Sequence, residues 1–90
     1  MNFTKLLAIL IIRYMILGIM DKNKEIRSAG LKVTDARRSI LRLLETHPHS
    51  HLSAYDVHQQ LFEKKKSVGI ATVYRVLNQF VEAGICVRHN

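Results

Sequence analysis

Residues 69–84 read Gly-Ile-Ala-Thr-Val-Tyr-Arg-Val-Leu-Asn-Gln-Phe-Val-Glu-Ala-Gly. The apolar side chains Ile70, Val73, Leu77, Phe80 and Val81 recur at i, i+3, i+7, i+10 and i+11, the spacing of one face of an α-helix. Ala71, Thr72, Arg75, Asn78, Gln79 and Glu82 take the other side. The period predicts a helix from about Ile70 to Ala83, with one face for a core and the other free to touch something. Gly84, in an Ala-Gly-Ile order, suits the left-handed residue that ends a helix. Beyond it, Ile85-Cys86-Val87-Arg88-His89 alternates loosely and is rich in β-branched residues. That predicts a strand, one for which no partner remains in the chain.

Three shorter helices are predicted upstream. The nearest begins at Ser53, with Asp56 three residues on as a weaker form of the capping box, and turns Ala54, Val57 and Leu61 inward. It fades through Lys64, Lys65 and Lys66. Before it, Thr34 caps a helix whose Ala36, Ile40, Leu43 and Leu44 form one stripe, with Arg38, Arg42 and Glu45 opposite, and His47-Pro48 ends it. The first covers about Lys22 to Ala29 and stops at Gly30, so that Leu31 turns back onto Ile26. Three helices followed by an amphipathic one with a polar to basic outer face is the order of a helix-turn-helix.

Composition narrows the function classes. The chain has 90 residues, 14 Lys and Arg against 7 Asp and Glu, a net charge of +7 and 48% hydrophobic residues. It has room for one small domain, whose core supplies only about 3–5 kcal/mol. A single Cys, Cys86, excludes an internal disulfide and a thiolate zinc finger and points to a reducing compartment. The basic charge points to a polyanion, either nucleic acid or an anionic membrane surface.

Residues 1–20 are different material, holding only Lys5 and Arg13 of the bases and none of the acids. Leu6 to Ile19 read LLAILIIRYMILGI, short for a membrane span and interrupted by Arg13. As a signal peptide the segment lacks a strong basic start and a small-x-small cleavage site. Three readings stay open: a membrane anchor, an extra helix, or a stretch preceding the natural start, since Met20 opens an ordinary cytosolic beginning. The expected structure is an isolated helix over Lys5 to Ile19 that packs poorly on the domain formed by residues 21–90.

The outer face of the last helix carries the candidate chemistry. Ala71 and Thr72 are small enough for the backbone to approach a major groove, and Tyr74 and Arg75 are long enough to reach base edges or phosphates. The competing reading makes Tyr74 an edge of the core stripe and Arg75 an ordinary solvated charge. His47, His49 and His51 alternate through a loop in a pattern that invites a metal, but a closed zinc site takes four ligands and no Cys or HExxH pattern stands nearby. No nucleophile elbow, phosphate loop or carboxylate pair is present, and Cys86 and His89 point to opposite faces of a strand, so an enzyme is not expected.

Three runs, AGLKVTDARRSIL (29–41), HLSAYDVHQQL (51–61) and GIATVYRVLNQFVEAGICVRHN (69–90), resemble the DNA-binding domain of the ferric uptake regulator (Fur) family. The resemblance implies a mainly α, winged helix-turn-helix domain of four helices with an incomplete β-wing, here preceded by an extra apolar N-terminal helix, in a cytoplasmic, iron-responsive transcriptional repressor of metal-uptake genes. Such a repressor binds AT-rich palindromic operators in double-stranded DNA as a homodimer. Carried over position by position, Lys32 matches a lysine that enters the minor groove, Tyr74 and Arg75 match the pair in the recognition helix that reads the major groove, beside Thr72, and His51 matches a histidine of the regulatory metal site. The cofactor implied for the full-length family is iron(II) or zinc; tight binding by this chain is not expected, because the other ligands would lie beyond Asn90. Asp35-Ala36 replaces the usual leucine-proline, Tyr55 stands where Glu is common and His58 where Tyr is common. The resemblance therefore implies a fragment lacking the rest of the wing and the dimerisation domain. The alternatives are a basic peptide held at a membrane through residues 1–19, or a truncated remnant without function.

Overall fold

The computed structural model describes residues 2–5, 22–47 and 50–89. Its elements run β1 (Asn2–Lys5), α1 (Lys22–Ser28), α2 (Asp35–Thr46), β2 (Leu52–Ser53), α3 (Ala54–Glu63), α4 (Ile70–Glu82) and β3 (Cys86–His89). The four helices stand where periodicity and caps placed them. Arg37 N donates to Thr34 Oγ1 at 3.1 Å to open α2. Ser53 and Asp56 form the full reciprocal capping box at the start of α3, with Asp56 N donating to Ser53 Oγ and Ser53 N to Asp56 Oδ2.

Three helix ends are closed in the same way. At α1 and α4 the stop residue is a glycine at positive φ, Gly30 at 79° and Gly84 at 75°. The next amide reaches back five residues, from Leu31 N to Ile26 O and from Ile85 N to Phe80 O. At the end of α3, Lys66 N donates to Leu61 O in the same pattern, but the left-handed residue is Lys65, with φ 59°.

Ile40, Leu41, Leu43 and Leu44 of α2, Val57 and Leu61 of α3, and Val73, Val76, Leu77 and Phe80 of α4 meet in one core with Ile26. Two details differ from the sequence reading. Val76 is buried, whereas Ile70, at the first turn of α4, is exposed and Val81 only half-buried. The stripe is thus centred nearer Val73 and Val76 than the apolar spacing alone suggests.

The sheet overturns one expectation. β3 has a partner within the chain, because β1 lies between β2 and β3 in the order β2-β1-β3 and is antiparallel to both. Asn2 and Phe3 pair with Ser53 and Leu52, and the four residues Asn2 to Lys5 pair with His89 back to Cys86. Phe3 is 1% exposed, a full member of the core. Lys5, expected as the first residue of an isolated helix, is therefore in a strand, and the strand is held by the apolar core that its phenylalanine enters. The rest of the expected helix, residues 6–19, lies outside the described residues. Among the described residues, no helix is long and apolar enough to cross a membrane.

Candidate nucleic-acid interface

The face of α4 turned away from the core presents Ala71, Tyr74 and Arg75 to solvent, with Thr72 and Asn78 half-buried beside them. Tyr74 is 48% exposed, which removes it from the core stripe and leaves its ring and hydroxyl available. Gly69 caps the helix without a side-chain hydrogen bond, and the first turn holds no acid. The first turn of the helix therefore has no side-chain cap and no negative charge of its own.

Lys32 is exposed in the segment joining α1 to α2. That segment is fixed by a residue the sequence reading did not single out. Arg37 Nη1 donates to the Lys32 carbonyl at 2.8 Å, and Arg37 Nη2 donates to Gln79 Oε1 at 2.9 Å. One guanidinium therefore ties the Lys32 backbone to α4, one turn beyond Arg75. No local signal reveals this, because Arg37 and Gln79 are 42 positions apart.

β3 is anchored to the same helix. Arg88 donates to Asn78 Oδ1, and Cys86 Sγ donates to the Leu77 carbonyl at 3.7 Å. Burial pushes the Cys86 thiol up from 9.0 to about 12, against the smaller opposing pull of the Arg88 charge. A thiol this inert is a packing group, consistent with its carbonyl contact.

His51 sits elsewhere. It is exposed, and its ring stacks on that of His89 with centroids 4.1 Å apart and planes 9° from parallel. The His89 Nε2 is 2.7 Å from Thr4 Oγ1, so the imidazole pair covers the junction of all three strands. Among the described residues no group of three or more His, Cys, Asp or Glu is arranged to hold a metal ion. His47 Nδ1 is within 3.0 Å of the Leu43 carbonyl at the end of α2. Pro48 and His49 lie outside the described residues. The donor set on these residues does not fit a complete metal centre.

Residues 28–90 match the sequence model of the Ferric uptake regulator family. The chain belongs to that family. The ferric uptake regulation protein of Pseudomonas fluorescens is 54% identical over 71 residues, covering 79% of this chain and 58% of the relative. Among solved structures, the ferric uptake regulator of Pseudomonas aeruginosa with manganese superposes with a TM-score of 0.74 at 54% identity, covering 79% of this chain and 53% of that one. The Vibrio cholerae ferric uptake regulator, whose structure shows a rearrangement of its DNA-binding domains, gives 0.73 at 46% identity, with coverages of 77% and 53%. The chain thus spans about half the length of the Fur proteins it matches. The four helices and the small antiparallel sheet are the winged-helix domain of the family.

Proposed function

We propose that the chain binds double-stranded DNA as the recognition domain of a Fur-type, metal-responsive transcriptional repressor. The observation that carries this reading is the outward pair Tyr74 and Arg75 on α4, with the Lys32 segment braced against the same helix by Arg37. α4 enters the major groove of an AT-rich palindrome. Arg75 contacts guanine O6 and N7 or a phosphate, the Tyr74 ring lies against a thymine methyl, Thr72 lets the backbone approach, and Lys32 reaches toward the adjacent minor groove. The chain's own residues recognise and orient DNA; no step of that recognition passes through a metal. His51 stands at the position of a regulatory metal-site histidine in the family, and the donors among the described residues do not complete such a site.

A single copy engages one half-site, so its binding is carried mainly by phosphate contacts and is steeply salt-dependent. Gel shifts on an AT-rich palindrome and on a scrambled duplex, across a salt series, test the proposal. The expected result is micromolar or weaker binding that falls steeply with salt and favours the palindrome. Equal binding of Arg75→Ala and the parent chain to both duplexes would remove α4 from the interface.

A further inference from the structure

A cavity of about 550 Å³ lies at α2 and the end of α3, outside the face formed by Tyr74 and Arg75. Lys22, Arg38, Arg42, Lys64 and Lys66 line it, with Asp35 as the acid in its wall. Asp35 is shared, its carboxylate lying 3.7 Å from Arg38 Nη2 and 3.6 Å from Lys66 Nζ. Lys22 Nζ is 3.9 Å from Glu45 Oε2. Among the described residues, Arg42 and Lys64 have no acid partner. Leu43 and Leu61 contribute apolar wall, and the Ser39 hydroxyl stands among the bases.

A solvated basic surface minimises its self-repulsion by spreading its long side chains apart. Here five cations border one concavity, whose volume falls in the range of small-molecule sites, about 300–1,000 Å³. An apolar wall beneath them focuses their field, which raises the local concentration of anions. Arg42 supplies a planar fork suited to two phosphate oxygens, Lys64 a compact point charge, and Ser39 a neutral donor.

We propose that this cavity binds a multiply charged phosphate ligand, held chiefly by Arg42 and Lys64. The same chemistry is presented by a small polyphosphorylated molecule and by the backbone of a duplex, and the experiment separates the two. The proposal stands independently of how α4 functions.

Isothermal titration of the full 90-residue chain with sodium tripolyphosphate, at near-physiological salt, reads the site directly. One saturable site is expected. The double variant Arg42→Gln/Lys64→Gln weakens it at least about tenfold, the size of one lost charge-assisted hydrogen bond. Lys24→Gln/Arg27→Gln removes the same charge from α1 at positions that do not line the cavity and changes the affinity less than about twofold, as expected for screened charge without direct contact. Melting curves of each variant establish that it is folded. Absence of saturation, or equal losses in the two double variants, overturns the proposal. A second titration uses duplex DNA. A greater loss for Arg42→Gln/Lys64→Gln than for the control pair, with a shallower salt slope, assigns the phosphates to a DNA backbone; matched losses assign them to a free polyphosphate.

Discussion

Arg75 and Leu77 stand two positions apart on α4 and face opposite ways, one exposed and the other at 0% exposure. Arg75→Ala is expected to weaken duplex binding about tenfold or more, since a good base contact is worth about 1–3 kcal/mol, while leaving the melting temperature nearly unchanged. Leu77→Ala opens a cavity costing about 2–5 kcal/mol, enough to unfold so small a domain. Melts recorded beside binding titrations check both, and an unfolded Arg75→Ala with a folded, non-binding Leu77→Ala would reverse the two faces. Cys86 gives a residue-level prediction in pH. Its thiol is pushed up to about 12 in the fold, whereas in the unfolded chain it ionises near 9.0. Above pH 9 the unfolded chain sheds a proton that the folded one keeps. The contribution is therefore complete below pH 9 and is lost as pH rises toward 12. Denaturant midpoints measured between pH 8 and 11 should fall in the parent chain more steeply than in Cys86→Val, which has no thiol to titrate.

At the scale of elements, the end of α3 is the one closure whose residue works against it. Lys65 adopts φ 59° where Gly30 and Gly84 do the same task without a Cβ. Replacing it by glycine removes a left-handed strain of about 1–2 kcal/mol and adds back some chain entropy. The net expectation is a stabilisation of about 0.5–1 kcal/mol, read as a rise of several degrees in melting temperature. The glycine stops of α1 and α4, the cap at Thr34 and the box at Ser53 were all legible in the sequence, because each is written within six consecutive residues. The outward placement of Arg75 and the inward placement of Val73, Leu77 and Phe80 followed from the helical period alone. Two other features were hidden for one reason. β1 is four residues long, too short to show a period, and it pairs with strands 47 or more positions away. The Arg37 brace likewise joins residues far apart in the chain, and nothing near Arg37 distinguishes it from its solvated neighbour Arg38. Val76 was missed because the helical stripe is wider than the set of positions used to find it.

For the molecule as a whole, the sheet makes residues 2–5 part of the same packed body as residues 22–47 and 50–89. Phe3→Ala is expected to cost about 3–5 kcal/mol, comparable to everything a core of this size supplies, and to abolish a cooperative thermal transition near body temperature. Tyr55→Ala, at a position 70% exposed, should stay within about 0.5 kcal/mol of the parent. Equal melting of the two variants would show that β1 contributes nothing to the fold. The pairing of Asn2 with His89 also sets an order on biosynthesis. The helices close over local contacts and can form as they emerge from the ribosome, but the middle strand of the sheet is made before either of its neighbours. The loop between Phe3 and Arg88 must close before this pairing forms, and such long closures are slow. Until then the phenylalanine and two open strand edges are exposed together. Translation rate and chaperone supply therefore bear on the yield of this chain through its sheet.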